Sequence, residues 1–174
     1  MNKILITGGA GYVGSTLVPM LLEKGHDVTV FDNLMYGGEG ILPLFSNENF
    51  HFIKGDVRDK VAVKKVLTKA DAIIHLAAIV GFPACKKDPI LAKQVNQDAS
   101  KFIADKVSTD QIVIYASTGS NYGAVKDTLC SEETPLNPLS IYGKTKTAAE
   151  KYFLEKDSCN AIVYRFATAF GISP

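Results

Sequence analysis

Four glycines fall between positions 8 and 14, directly behind the apolar run Lys3–Thr7 (KILIT) and directly ahead of a periodic apolar stretch. A β-branched run that halts at consecutive glycines reads as a strand ending in a tight turn. Beyond it, apolar residues at 13, 17, 18, 21 and 22 make the stripe of a helix over 13–24, closed by Gly25. The glycines satisfy two spacings, GxGxxG at Gly9, Gly11 and Gly14 and GxxGxxG at Gly8, Gly11 and Gly14. One glycine permits the turn and another lets backbone approach a pyrophosphate. Gly14 lets the helix pack close to the strand. The helix amino terminus then offers free N–H groups and the positive end of its dipole to phosphates.

The alternation continues. Strands are predicted over 27–31, Phe50–Lys54, 72–80, 111–116 and 161–166. Helices are predicted over Lys60–Leu67, 89–107 and 140–156, and residues 33–49 read as loop. The segment from Ala72 begins apolar on both faces, as a strand covered on both sides must be. This pattern predicts an α/β fold: a doubly wound parallel sheet of about six strands, order 3-2-1-4-5-6, in three α/β/α layers. The 174 residues suit a single domain. A net charge of +1 supplies no field for nucleic acid, and no apolar run reaches membrane-spanning length. Cys85, Cys130 and Cys159 lie far apart without a CxxC, so neither a disulfide framework nor a metal site is expected, and a cytoplasmic setting is the default.

Several strand ends carry chemistry. Asp32 follows Gly14 by 18 residues, at the end of the second strand. A carboxylate there accepts from both hydroxyls of an adenine ribose and repels a 2′-phosphate, so NAD is expected rather than NADP. Asp56, in Gly55-Asp56-Val57-Arg58-Asp59, is either an acceptor for an adenine amino group or a helix cap. After His75, the residues Leu76, Ala77 and Ala78 leave room for a flat cofactor, while His75 itself reads as a packed histidine. Cys85 reads as a buried structural thiol, with the border of a substrate as the other possibility.

Tyr142 and Lys146 stand four residues apart, on one face of a helix. A nearby ammonium and a bound nicotinamide cation both favour phenolate, so a lowered Tyr142 pKa is expected. Such a phenolate takes a proton from a sugar hydroxyl while hydride leaves the same carbon. The fifth strand runs into Ser117-Thr118-Gly119-Ser120-Asn121-Tyr122-Gly123, whose hydroxyls either bind the reacting oxygen or make a polar turn.

These pieces together resemble the extended short-chain dehydrogenase/reductase family, in its NAD-dependent epimerase/dehydratase branch acting on nucleotide sugars. The matching segments are TGGAGYVGS, FDNL, GDVRD, HLAA, Asn96, STGSNYG, YGKTK and YRFATAFG, in family order along the whole chain. The resemblance implies an NAD(P)-binding Rossmann fold with NAD as cofactor. Tyr142 would be the general base, and Lys146 its pKa modifier and a ligand of the nicotinamide ribose. Thr118 would contact the sugar hydroxyl. Tyr12 and Val13 would offer N–H groups to the pyrophosphate. Asp32 and Asn33 would hold the adenosine ribose, Asp56 and Val57 the adenine. Leu76, Ala77 and Ala78 would line the cofactor, with Asn96 beside its phosphates or ribose. A UDP-, GDP- or dTDP-linked sugar would be the substrate.

Three departures qualify these implications. Gly119-Ser120 stand where the family's 4,6-dehydratases carry Asp-Glu, which points to epimerase or reductase chemistry. Thr168 stands where an Asn often meets the substrate diphosphate. Residues 1–174 correspond to the cofactor domain, with the nucleotide-sugar domain expected to be absent or truncated. Three readings stay open: an incomplete epimerase, a chain completed by a copy of itself or a partner, and a non-catalytic NAD-binding module.

Overall fold

The computed structural model describes residues 1–125 and 129–171. Its centre is a six-stranded parallel sheet of order β3-β2-β1-β4-β5-β6. The strands are β1 (Lys3–Thr7), β2 (Asp27–Asp32), β3 (Phe50–Lys54), β4 (Ala72–His75), β5 (Ile112–Thr118) and β6 (Asn160–Phe166). The helices are α1 (Tyr12–Glu23), α2 (Lys60–Leu67), α3 (Phe82–Lys87), α4 (Pro89–Lys93), α5 (Ala99–Lys106) and α6 (Ile141–Leu154). The architecture is Rossmann-like, as expected, and the strand order reverses between β1 and β4, where such sheets open a crevice.

Side chains alternate across each strand, so each strand feeds both faces. Leu5, Phe31, Ile73, Val113 and Tyr115 pack with Val63 and Leu67 of α2, Ile103 of α5, and Ala149 and Phe153 of α6. On the opposite face Ile4, Ile6, Val28, Val30 and Ile74 pack with Val18 and Leu22 of α1 and with Ile41. That second cover stops short of the far edge: on β6, Ile162, Tyr164 and Phe166 are 46%, 51% and 45% exposed.

Some boundaries differ from expectation. β4 ends at His75 and not at 80, because Leu76–Val80 leave the ladder to run along the sheet's carboxyl edge. The region 33–49 holds a short 3-10 helix, Glu39–Ser46, pinned by buried Ile41. The helix expected over 89–107 is interrupted by a π-helical stretch, Gln94–Asp98. Helix α3 lies between the predicted strand 72–80 and the predicted helix 89–107, where no element is expected; Pro83 sits in its first turn, where no N–H is needed. β5 continues two residues beyond 116, making Thr118 its last residue.

Candidate active site

The glycine loop closes on the chain's own backbone. Gly8 adopts φ +74, and a Cβ there would lie 2.5 Å from the Ala77 nitrogen, where the chain leaves β4. A Cβ on Gly9 would meet Val30 at 2.7 Å, and one on Gly14 would meet the Gly9 carbonyl oxygen at 2.4 Å. Gly11 differs: an added Cβ would meet only the Gly8 carbonyl oxygen, at 3.4 Å. Packing therefore demands three of the four glycines and leaves the fourth with room for a side chain. Tyr12 and Val13 open α1 beside it, both exposed.

Asp32 ends β2 at the mouth of this loop. Its Oδ2 accepts from the Ala10 N–H at 3.1 Å and its Oδ1 from the Leu34 N–H at 2.8 Å. The second bond is made with Leu34 in the left-handed region, φ 61. Each carboxylate oxygen has a second acceptor site, so Asp32 retains capacity for two hydroxyl donors. Asn33 Nδ2 donates to Asp56 Oδ2 at 3.3 Å, which ties the ends of β2 and β3 together. Asp56 is not the cap of α2; Asp59 is, accepting from the Val61 and Ala62 N–H groups. Arg58 instead grips Asp56 through Nε and Nη2 at 2.9 and 2.7 Å, and these bonds hold the Asp56 carboxyl down at about 2. Val57 turns its side chain into the core.

Leu76, Ala77 and Ala78 line the carboxyl edge beside Gly8, partly exposed. His75 is packed as expected. Its Nδ1 lies 2.6 Å from the Thr7 hydroxyl and its Nε2 2.9 Å from the Ser100 hydroxyl, and burial lowers its pKa to about 3. Asn96, on the π-helical stretch, is fully buried. Its Oδ1 accepts from the Ile79 N–H at 2.8 Å, and its Nδ2 donates to the Ile79 carbonyl at 2.9 Å. It thus clamps the backbone that follows β4. Cys85 is the buried thiol expected, donating to the same Ile79 carbonyl.

Thr118 ends β5 and hydrogen-bonds with Tyr142 at the start of α6, and Lys146 follows one turn later against β5. Ser140 caps α6 by accepting from the Gly143 N–H, which fixes the first turn carrying Tyr142. The phenol is pushed up by burial, and hydrogen bonding with the Thr118 side chain opposes that rise. The expected lowering by Lys146 is therefore corrected: desolvation of the phenolate raises Tyr142, and what opposes the rise is Thr118 and not Lys146. Lys146 is itself buried and lies over the Tyr115 ring, 4.2 Å from its centroid. Desolvation lowers its ammonium to about 7, with Glu150 acting in the opposite direction. Ser117 turns to the opposite face from Thr118, toward Glu150 of α6 at 2.6 Å.

That carboxylate is the part of the region sequence reasoning missed. Glu150 accepts from Ser117, Asn121 and Arg165 while 1% exposed. The available signal was its spacing: Tyr142, Lys146 and Glu150 follow one another at four-residue intervals on one helix face.

With this geometry in place, residues 4–173 match a known family, the NAD dependent epimerase/dehydratase family. The chain belongs to that family. It is 31% identical to the UDP-glucose 4-epimerase of Lactobacillus helveticus over 98% of its own length and 52% of the relative's. To the putative UDP-glucose 4-epimerase of Methanocaldococcus jannaschii it is 32% identical, covering 97% of this chain and 56% of the relative. Among solved structures, the UDP-glucuronic acid 4-epimerase of Bacillus cereus in complex with NAD superposes with a TM-score of 0.86 at 30% identity. It covers 99% of this chain and 58% of that one. This member of the epimerase/dehydratase family thus spans about half the length of the curated relatives it matches. No helix among the described residues is long and apolar enough to cross a membrane.

Proposed function

We propose that this chain is the NAD-binding portion of a nucleotide-sugar epimerase. The observation that carries the reading is the contact of Thr118 with Tyr142, with Lys146 one turn on, at the same sheet edge as a glycine loop in which Gly11 alone has room for a side chain. Gly8, Gly11 and Gly14 would frame the pyrophosphate, with the N–H groups of Tyr12 and Val13 directed at it. Asp32 and Asn33 would take the adenosine ribose, and Asp56 and Val57 the adenine. Leu76, Ala77 and Ala78 would line the cofactor, and Lys146 would reach the nicotinamide ribose. Asn96 would act there by holding the Ile79 backbone in place.

NAD, when bound, supplies the acceptor for hydride from the sugar carbon and returns it. Tyr142 takes the hydroxyl proton as general base, and the Thr118 hydroxyl orients the sugar oxygen. Gly119 and Ser120, in place of an acid pair, support epimerisation over dehydration. The substrate is a UDP-, GDP- or dTDP-linked sugar. The bare face of β6 supports a second reading, in which a chain of this length binds NAD without turning over until a partner or a further domain covers that face.

Calorimetry on the 174-residue chain, together with turnover assays over UDP-, GDP- and dTDP-sugars, tests both parts. NAD should bind more tightly than NADP, and turnover by the chain alone should be negligible, because remote binding energy that would position the sugar is missing. Equal affinity for NADP would overturn the cofactor assignment. Robust turnover of any one sugar would show that these residues are a complete enzyme.

A further inference from the structure

Glu150 is 1% exposed, lies two turns along α6 from Tyr142, and has no part in the chemistry described above. A buried carboxylate survives only with its oxygens paired. Here Oε2 accepts from Ser117 Oγ at 2.6 Å and Asn121 Nδ2 at 2.8 Å. Oε1 accepts from Arg165 Nε at 3.0 Å and Nη2 at 2.6 Å. Arg165 reaches on, donating from Nη1 to the Tyr122 hydroxyl at 3.0 Å and the Glu132 carbonyl at 3.2 Å. The donors to Glu150 come from β5, from the 3-10 turn Gly119–Tyr122 and from β6.

Two of these strands of contact bracket Thr118. Ser117 precedes it directly. Asn121 belongs to the turn that follows, whose Ser120 N–H donates back to Thr118 Oγ1 at 3.2 Å. Asn121 Nδ2 also donates to Ser117 Oγ at 2.9 Å, closing a ring of bonds around the strand end. Helix α6, which carries Tyr142, is thus fastened to the segment that carries Thr118 at one buried point.

We propose that Glu150 is the positioning residue of this site: its carboxylate locks the end of β5 to α6 so that the Thr118 hydroxyl faces the Tyr142 phenol. The assignment rests on the catalytic reading of Thr118 and Tyr142 given above. Glu150 touches no reacting atom. Its neighbour Ser117 faces it from the side of the sheet that α6 covers, and Thr118, the last residue of the strand, hydrogen-bonds with Tyr142 at the start of the same helix. A buried ion pair bought only for stability would be a poor choice beside an apolar core; one that fixes the register of two elements has a specific use.

The test reads the phenol without any ligand, on the full 174-residue chain. With 13Cζ-labelled tyrosine, the Tyr142 resonance, identified by its loss in Tyr142→Phe, reports hydrogen bonding to its oxygen and its titration. Thr118 and Tyr115 face this phenol from β5, Cys85 from α3, and Lys146 follows on its own helix. Thr118→Val sets the benchmark and should move the titration up in pH, because the bond that opposes desolvation is gone. Glu150→Gln and Ser117→Ala should each shift it in the same direction, by at least half of the benchmark for Glu150→Gln and by less for Ser117→Ala. A folded Glu150→Gln chain of lower urea stability, with Tyr142 titrating as in the parent, would make Glu150 a purely structural residue and overturn the proposal. Should Glu150→Gln not fold, Ser117→Ala decides on the same criterion. A Thr118→Val chain with an unmoved Tyr142 also overturns it, since no hydroxyl would then be held there. Failure of NAD to bind would count against the cofactor reading alone, because no cofactor enters this measurement.

Discussion

The two ends of the sheet are finished to different degrees. From β2 to β4 both faces are covered, one by α2 and α5, the other by α1 and Ile41, and the edge strand β3 buries Phe50 on one face while His51 and Ile53 are exposed on the other. At β6 one face is partly buried, while Ile162, Tyr164 and Phe166 lie open on the other. The covered end carries the glycine loop, Asp32 and Asp56. The open end carries Thr118 and the Glu150 cluster beside it. A single parallel sheet can thus hold the proposed cofactor cradle, closed by its own packing, and a candidate catalytic edge that still presents apolar surface. The proposed dinucleotide binding and sugar chemistry would make separate demands on the chain, and substitutions should separate them.

The largest effect is expected in the glycine loop. Gly8→Ala meets the Ala77 backbone at a positive φ, and should cost about 3 kcal/mol by overpacking and the left-handed penalty together. Gly11→Ala should leave stability within about 0.5 kcal/mol and weaken NAD binding. Urea denaturation and calorimetry on the two variants check the contrast. If both lose stability equally, the open position at Gly11 has no bearing on a ligand. Next in size, Asp32→Ala should weaken NAD by about 1.5–3 kcal/mol, the range for hydrogen bonds to a charged group, and narrow the preference over NADP. An unchanged NAD affinity would remove Asp32 from the cradle.

Arg58→Ala probes the same end through pH. The folded Asp56 carboxyl sits at about 2 against an ordinary 3.8. Its contribution is therefore present above about pH 4 and is lost as pH falls toward 2. Discounted for solvent screening at a partly exposed pair, the variant should lose about 1 kcal/mol at pH 7 and almost nothing at pH 2. A loss of the same size at both pH values would mean packing and not charge. The smallest change in stability, under about 0.5 kcal/mol, is expected for Ile162→Lys on the open face. There the effect should be on association: sedimentation of the parent should show self-association that rises with concentration and that the lysine suppresses. A monomeric parent at high concentration would show that the bare face is tolerated alone.

Much of the cofactor end was legible because its rules are local. β1, β3 and α2 fall at the expected residues, since β-branched runs and helical stripes there are bounded by glycine or a cap. Asp32 was found by spacing from Gly14. The catalytic edge was harder. Thr118 was expected in a polar turn or at a reacting oxygen, and the strand reaches it because the ladder with β6 runs on to the pair Thr118 and Phe166. Nothing in a helix of ordinary composition marks Glu150 as buried; a carboxylate reads as a solvated face until its partners from β5 and β6 are known. The direction of the Tyr142 shift depends on how much water the packed edge excludes, which no residue spacing reveals.

His75 gives the fold a built-in sensitivity to acid. Held neutral between Thr7 and Ser100, it stays unprotonated down to about pH 3, whereas the unfolded chain binds a proton there from about 6.5. Every proton taken up only on unfolding pulls the equilibrium toward the open chain, by up to about 1.4 kcal/mol for each pH unit inside that window. The imidazole therefore begins to erode the native state well before the Asp56 carboxyl joins it below about pH 4. Mild acid should loosen the junction of β1, β4 and α5 first. A compartment that drifts toward pH 5 would thus tax the very strands that carry the glycine loop.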